Sequence, residues 1–293
     1  MEYKLIEKDS GLIVKGLKDF NTTHIFENGQ SFRWYKEEDG SYTVVAGGKV
    51  ANFLQRDDLL YADRVNKVDW EKFWHNYFDL DRDYGEIKSI LSKDPIMEEA
   101  IRHGDGIRLL RQDPYETVIS FIISANNQIP RIKKAVETIS TDLGEYICSY
   151  RGREYYSFPE PVKLANKTPE YIKEVYRVGF RAERLKEVSR RVAYGEFDLN
   201  SVNTADLDEA RQMLMTLPGV GPKVSDCILL FAYSKGKAFP VDVWVKRIME
   251  HLYLGKDAKK KTLEGSGDKL FGDLAGFAQQ YLFYYAREKG IGK

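Results

Sequence analysis

The spacing of apolar and polar residues changes once along the chain, near residue 90. Residues 1 to about 80 have the pattern of an antiparallel sheet, with strands on either side of Gly47-Gly48, a two-residue signal for a hairpin turn. From about residue 94 onward, apolar residues recur at the spacing of amphipathic helices. The pattern predicts an α+β fold, with an N-terminal antiparallel β-sheet domain over residues 1–93 and a mostly helical domain over residues 94–293.

Proline marks the starts of three predicted helices. Asp94-Pro95, Asp113-Pro114 and Thr168-Pro169 each combine a helix-capping residue with proline at the first helical position. Residues 70–80 begin the helical connection, and residues 256–268 are expected to form a polar loop. The helix after Pro114 is apolar nearly all round, which predicts that it is buried. The predicted helices span residues 97–103, 115–124, 131–143, 169–177, 183–194, 205–215, 243–253 and 271–289, with one more beginning at Pro222.

The segment Leu217-Pro218-Gly219-Val220-Gly221-Pro222-Lys223 joins two of these helices. Pro222 suits the first position of a helix, because its missing N–H would be unpaired there. Gly219 and Gly221 supply the freedom that a tight turn needs and let a phosphate approach the backbone. The unpaired N–H groups of the second helix attract such an anion. Lys223 lies in the first turn of that helix, beside this predicted phosphate site.

Composition narrows the class of protein. The first hundred residues hold 14 Lys and Arg against 20 Asp and Glu, whereas the remainder holds 31 against 25, so the basic surplus lies with the hairpin. No run reaches the roughly 18 apolar residues of a membrane span, and the first residues lack the apolar core of a signal peptide. We therefore expect a cytoplasmic protein without a membrane partner. The four histidines show no metal-ligand spacing.

The hairpin, Lys223 and the later pair Val241-Asp242 together resemble the helix-hairpin-helix DNA glycosylases. The resemblance implies that the helical domain is a glycosylase core of two helical subdomains with the active-site cleft between them. The alternative interpretation is a module that only grips the DNA backbone, with Lys223 as one more phosphate contact. Such a module would have no use for a carboxylate at this spacing.

Four further segments are similar to the 8-oxoguanine DNA glycosylases: residues 29–34, 106–114, 124–127 and 278–279. This resemblance implies a bifunctional glycosylase and lyase that excises 8-oxoguanine and nicks the strand by β-elimination. Lys223 would attack the sugar and form a Schiff base. Asp242 would stabilise the positive charge that develops on the sugar, and it could also cap the following helix. A glycosylase for another damaged base remains the alternative enzyme.

A damaged base must leave the duplex to reach such a lysine. The resemblance assigns one face of the extruded base to Cys227 and the other to Phe283. Gln279 would bond the Watson–Crick edge, the carbonyl of Gly29 would face the opposite edge, and Pro240 would complete the pocket. Without the resemblance, Cys227 and Phe283 would be assigned to ordinary core packing and Gln279 to an exposed helix surface.

The resemblance also assigns DNA contacts. Asn126 would take the place of the extruded nucleotide, Phe180 would wedge beside the opposite base, and Arg131 and Arg181 would donate to that base or to phosphates. The hairpin residues Gly219, Val220 and Gly221 would grip the backbone. The family usually has Tyr, Asn and His where this chain has Phe180, Gln128 and Trp244, so opposite-base preference and phosphate contacts are expected to differ.

The expected partner is double-stranded DNA containing 8-oxoguanine, bound by a monomer in the nucleoid or the nucleus. No external cofactor is expected. Cys148 and Cys227 are the only cysteines in the sequence, too few for the four-cysteine iron–sulfur cluster of some glycosylases. The resemblance implies one monovalent cation, held by the hairpin carbonyls of Met215, Leu217 and Val220.

Overall fold

A computed structural model of the chain describes residues 3–254 and 266–291. Near the N-terminus, six strands form one antiparallel sheet in the order β1-β2-β6-β5-β4-β3. The predicted hairpin is confirmed, because Ala46 pairs with Lys49 across Gly47-Gly48. The strands are β1 (Lys4–Lys8), β2 (Gly11–Lys15), β3 (Trp34–Lys36), β4 (Tyr42–Ala46), β5 (Lys49–Arg56) and β6 (Leu59–Asp63).

The remainder is mostly helical, so the predicted α+β class is confirmed. The sheet region includes α1 (Thr22–Phe26). After the sheet come α2 (Lys67–Asp69), α3 (His75–Tyr77), α4 (Tyr84–Leu91), α5 (Pro95–His103), α6 (Pro114–Ser124), α7 (Ile129–Leu143), α8 (Pro161–Ala165), α9 (Pro169–Tyr176), α10 (Ala182–Ala193), α11 (Ser201–Thr204), α12 (Leu207–Met215), α13 (Pro222–Tyr233), α14 (Val243–Met249), α15 (Ser266–Phe271) and α16 (Ala275–Lys289).

The predicted capping residues begin their helices as expected. The Asp94 carboxylate accepts a hydrogen bond from the Met97 N–H at 3.1 Å, and Asp113 accepts one from the Glu116 N–H at 2.8 Å. The hydroxyl of Thr168 accepts one in the same way at the start of α9. These bonds satisfy N–H groups that have no partner inside the helix. The proline-marked helix starts are therefore confirmed.

Several elements differ from the sequence-based prediction. The sheet ends at Asp63, and a π-helical turn (Trp70–Trp74) lies between α2 and α3. A second, two-stranded sheet of β7 (Tyr146–Tyr150) and β8 (Arg153–Tyr156) was not predicted. The predicted helix 271–289 is interrupted by a 3₁₀ turn (Gly272–Leu274). Of the predicted loop 256–268, residues 256–265 lie outside the described residues, and residues from Ser266 onward are helical.

Two large hydrophobic cores support these layers, and a third, small cluster of Val45, Val50 and Tyr155 joins the sheet to the β7–β8 hairpin. One large core contains the inner face of the sheet together with Trp70, Trp74 and Phe78, and the other joins the helices from α4 to α16. Tyr84 and Leu91 of α4 belong to the helical core although they precede residue 94. The division at residues 93/94 stays a prediction. The buried helix α6 passes through the middle of the helical core, and its C-terminal end leads to the loop at Asn126.

Candidate active site

The hairpin between α12 and α13 has the predicted form. The Val220 N–H donates to the Leu217 carbonyl at 3.1 Å, and Pro222 stands at the first turn of α13. Gly219 has a φ of +90°, which side chains rarely adopt, and a Cβ there would lie 2.9 Å from Cδ of Arg184 on α10. Glycine is therefore required at this position both by backbone conformation and by the close approach of a second helix.

Lys223 is half-buried in the first turn of α13, with Nζ 5.4 Å from the centre of the Phe121 ring. Cys227 lies one helical turn later and is 3% exposed. Burial raises the pKa of the Cys227 thiol to about 11, and the nearby Lys223 ammonium offsets only part of that rise. The thiol is thus neutral near pH 7 and does not compete with the Lys223 amine as a nucleophile.

Asp242 is the N-cap of α14, and its Oδ1 accepts a hydrogen bond from the Val245 N–H at 2.8 Å. Asp242, Lys223 and Asn126 line one cavity of about 1400 Å³, between the hairpin, the start of α14 and the loop after α6. Both sequence-predicted catalytic residues therefore face the same space. The capping role that was the structural alternative for Asp242 is present and uses one of its two oxygens.

None of the five predicted base-pocket residues lines this cavity. Gly29 has a φ of +81°, and a Cβ there would lie 3.3 Å from the Phe283 ring. Gln279 is buried rather than exposed, and its Oε1 accepts a hydrogen bond from Gln280 at 2.7 Å. Cys227 and Pro240 are buried as well. The structure thus brings Gly29 against Phe283 in a closely packed arrangement.

One buried side chain holds the Gly29 segment in place, and sequence reasoning did not single it out. The Gln30 amide donates to the carbonyls of Ile25 and Arg108 at 2.9 and 2.8 Å, and its oxygen accepts from the Leu110 N–H at 2.8 Å. Gln30 is fully buried. The sequence signal that could have identified Gln30 is its position directly after Gly29 in the motif of residues 29–34. The backbone next to Gly29 is thereby tied to α1 and to the segment 108–110, where Leu109 belongs to the helical core and Leu110 to the sheet core.

Two of the predicted DNA-contact residues, Asn126 and Arg181, lie at the loop after α6. Asn126 is exposed and has a left-handed backbone, with a φ of +52°. Arg181 is 7% exposed, and its guanidinium donates to the carbonyls of Ala125, Asn126 and Val178. In this structure Arg181 therefore holds the backbone of the loop through hydrogen bonds, an arrangement that the sequence did not indicate.

Two other predicted DNA contacts reach solvent. The Phe180 side chain is 61% exposed, an unusual environment for a large aromatic ring. Arg131 is exposed in the first turn of α7. Trp244, which replaces the usual histidine, lines the cavity from α14. Together with Asn126 these exposed side chains, here called the rim, are accessible to a large partner.

The hairpin carbonyls fit the implied monovalent cation. The Leu217 carbonyl accepts one hydrogen bond, and no backbone N–H within residues 3–254 and 266–291 donates to the carbonyls of Met215 or Val220. Their lone pairs are available to a hard cation, which prefers oxygen ligands. Elsewhere in the part of the chain that the structure describes, no group of His, Cys, Asp or Glu could hold a metal ion.

No helix among the described residues is long and apolar enough to cross a bilayer.

Comparison with known proteins agrees with this geometry. Residues 12–118 match the N-terminal domain of 8-oxoguanine DNA glycosylases, and residues 119–271 match the HhH-GPD superfamily of base excision DNA repair proteins. A probable N-glycosylase/DNA lyase from Methanothermobacter thermautotrophicus is 34% identical over 79% of this chain and 79% of its own.

Two solved structures superpose along nearly the whole chain. MBOgg1 in complex with a low-affinity DNA ligand has 48% identity and a TM-score of 0.95, covering 99% of this chain and 100% of that one. The Clostridium acetobutylicum 8-oxoguanine glycosylase/lyase, bound to DNA with cytosine opposite 8-oxoguanine, has 43% identity and the same TM-score and coverage. The chain therefore belongs to the HhH-GPD superfamily of base excision DNA repair proteins and carries the N-terminal domain of its 8-oxoguanine DNA glycosylases.

Proposed function

We propose that this protein removes 8-oxoguanine from double-stranded DNA and then nicks the strand, acting as a monomer in the nucleoid or the nucleus. The observation that carries the proposal is the shared cavity of Lys223 and Asp242, bordered by Asn126. A nucleophilic amine, a carboxylate and a residue able to fill a gap in a duplex are what this reaction needs. The similar Clostridium acetobutylicum protein, at 43% identity, supports the choice of lesion.

The proposed chemistry starts at Lys223. Its neutral amine attacks C1′ of the extruded nucleotide, and the base leaves with the electrons of the N-glycosidic bond and takes up a proton. Loss of a proton from the new C–N centre and opening of the sugar ring give an imine. Removal of a 2′ proton then expels the 3′-phosphate, which breaks the strand. Water hydrolyses the imine and returns Lys223 to its starting state.

Asp242 supports the first step. The sugar acquires positive charge as the base departs, and a carboxylate in a partly dry cavity stabilises that charge more than water does. The hydrogen bond from the Val245 N–H fixes the carboxylate against rotation. The helix cap is thus compatible with the chemical role, because it orients the group without consuming both oxygens.

We assign base selection to the five predicted base-pocket residues. In our proposal Cys227 and Phe283 cover the two faces of the base, Pro240 closes the side, and Gln279 bonds the Watson–Crick edge. The neutral state of the buried Cys227 thiol suits contact with an uncharged base. The carbonyl of Gly29 accepts from N7–H, a donor that 8-oxoguanine has and guanine lacks.

The DNA grip uses the hairpin and the rim. Gly219 and Gly221 present backbone N–H groups to a phosphate, and Val220 shapes the turn between them with its N–H bonded to the Leu217 carbonyl. A cation on the nearby carbonyls would bridge to the phosphate. Asn126 fills the gap left by the extruded nucleotide, and Phe180 inserts beside the opposite base. Arg131 reaches that base or an adjoining phosphate. Arg181 joins it there only if its bonds to the loop carbonyls rearrange on binding.

Borohydride trapping on a lesion duplex tests the proposal. The wild-type protein should give a covalent adduct, whereas Lys223→Gln should bind the duplex and give none. Lys246→Gln is the matched control, because Lys246 lines the same cavity and should not form the imine. An adduct with Lys223→Gln, or no adduct with the wild type, would contradict the assignment. A non-catalytic DNA-binding module would fail the wild-type arm.

A further inference from the structure

Two guanidinium groups approach the exposed ring of Phe180. Cζ of Arg181 lies 4.4 Å from the ring centre, and Cζ of Arg184 lies 5.1 Å from it. Both distances are within the range of attraction between a cation and an aromatic face. The ring is 61% exposed. Because the ring is mostly outside the protein core, we take these two cations to be prominent among the groups that orient it.

Arg184 also contacts the hairpin. Its aliphatic stem occupies the space beside Gly219, since a Cβ on Gly219 would lie 2.9 Å from Cδ and 3.5 Å from Cβ of Arg184. Arg184 therefore packs against the phosphate-binding hairpin with its stem and against the wedge with its head. Arg181 meets the wedge as well and bonds the Asn126 loop. Three DNA-facing parts are thus joined through two neighbouring arginines.

The two neighbouring guanidinium groups carry the same charge and repel each other. Burial lowers the pKa of Arg181, and the charge of Arg184 lowers it further. Two like charges held together gain from any nearby negative potential. The face of an aromatic ring supplies some of that potential, and a DNA phosphate would supply more. The arrangement fits a surface whose charges are satisfied when DNA is bound.

We propose that Arg184 is a positioning residue that holds the Phe180 wedge upright and sets its distance from the hairpin. The inference rests on the proposed function, because it assumes that Phe180 inserts beside the opposite base. With the ring oriented in advance, less conformational freedom is lost on insertion. Arg184 should therefore act on base extrusion and leave the bond-breaking step at Lys223 unchanged.

The test compares Arg184→Met with Arg184→Lys. Methionine keeps a flexible stem against Gly219 and removes the charge, whereas lysine keeps the charge. Lys186→Met is the control, because it removes one positive charge from the same helix, α10. Extrusion is followed by the fluorescence of 2-aminopurine placed next to the lesion, and excision by single-turnover kinetics. Each variant is measured with cytosine opposite the lesion and with an abasic site there.

Arg184→Met should reduce extrusion opposite cytosine by between about 2-fold and about 30-fold, the range for loss of a cation–π contact from exposed to desolvated sites. Arg184→Lys should recover part of the loss, and Lys186→Met should match the wild type. Opposite an abasic site the wedge has no base to displace, so the Arg184→Met defect should disappear. A thermal unfolding measurement identifies any variant that is merely misfolded.

Equal losses on both duplexes would overturn the proposal, since they would make Arg184 an ordinary phosphate contact. No loss on either duplex would overturn it as well. The fluorescence readout does not require chemistry, so it separates this inference from the proposed function. If the wild type extruded the base and formed no borohydride adduct, the catalytic assignment would fail while the role of Arg184 stood.

Discussion

The buried guanidinium of Arg181 donates a hydrogen bond of 3.1 Å to the carbonyl of Asn126, whose backbone is left-handed. Asparagine adopts the left-handed conformation more readily than other residues with a side chain, and surrounding contacts hold it there. Arg181 supplies those contacts through the carbonyls of Ala125 and Asn126 together. The loop that is proposed to fill the gap in the duplex is therefore shaped before DNA arrives.

Replacing Arg181 with lysine should test this support. An ammonium group cannot reproduce the planar fork that reaches three carbonyls, so buried acceptors lose their partners. We expect Arg181→Lys to lower the free energy of unfolding by about 1–3 kcal/mol, measured by denaturant titration. Excision should fall as well. Arg177→Lys, at an exposed position just before the wedge, is the control and should change neither quantity.

For Asp242, two substitutions separate the cap from the chemistry. Asparagine caps helices about as well as aspartate, so Asp242→Asn should keep its Tm and DNA affinity. Its single-turnover excision rate should nevertheless fall by ~10²–10³, as expected for loss of one group that stabilises a transition state. The excision rate of Asp242→Ala should fall by the same factor, and its free energy of unfolding should in addition fall by about 1 kcal/mol. A normal rate with Asp242→Asn would reduce Asp242 to a cap.

Gly29 and Gly40 offer a matched pair of substitutions. Both have a φ near +80°, but a Cβ on Gly29 would lie 3.3 Å from the Phe283 ring, whereas one on Gly40 would meet nothing within 4 Å. Alanine at either position should cost about 1–3 kcal/mol of stability from backbone strain. Only Gly29→Ala should lose excision of 8-oxoguanine, and it should gain none on guanine.

The role of the Gly29 carbonyl is checked with modified bases. A duplex carrying 7-deaza-8-oxoguanine presents C7–H in place of N7–H, so it should bind more weakly than the true lesion. Losing a hydrogen bond and leaving a buried acceptor unpaired together cost on the order of 2–4 kcal/mol. Equal binding of the two duplexes would show that the N7–H contact does not carry selectivity.

Glu116 on α6 should make stability depend on pH. Burial raises the pKa of its carboxyl from the ordinary value of 4.5 to about 7, although Arg33 lies 3.6 Å away and opposes the rise. Between these values the folded state holds a proton that the unfolded state has lost. Stability from this group is therefore fully present below about pH 4.5 and is lost as the pH rises through about 7.

Glu116→Gln mimics the protonated carboxyl at every pH. We expect the variant to match the wild type near pH 4 and to exceed it at pH 8 by about 3 kcal/mol in the free energy of unfolding. Denaturant titrations at the two pH values measure the difference. A variant that is less stable than the wild type at pH 8 would show that the ion pair with Arg33 outweighs the cost of burial.

The elements that the sequence predicted well are those with a local cause. Asp94, Asp113 and Thr168 cap their helices because the capping bond spans three residues or fewer. The Gly47-Gly48 turn and the Pro222 helix start depend on similarly short-range chemistry. Lys223 and Asp242 share a cavity, as the resemblance to the motif implied. Their joint action on one extruded nucleotide stays a prediction.

The features that escaped prediction depend on partners far away in sequence. Arg181 bonds a carbonyl 56 residues earlier, and Gln30 bonds one 78 residues later. The spacing of apolar and polar residues along the sequence does not predict such pairs. The π-helical turn at Trp70–Trp74 arises where aromatic side chains pack on the sheet, a tertiary effect that overrides local preference. The β7–β8 hairpin escaped because its strands are only five and four residues long.

Gln30 ties the backbone beside Gly29 to Ile25 and to the segment 108–110, where Leu109 belongs to the helical core and Leu110 to the sheet core. If Gly29 reads the base as proposed, the identity of the accepted base is a property of how the sheet and the helices are assembled, beyond the residues that touch the base. Substitutions deep in either core that shift this segment by a fraction of an ångström would retune substrate choice without altering any contact residue. Lesion range in this protein can thus drift during evolution through sites that a comparison of active-site residues would overlook.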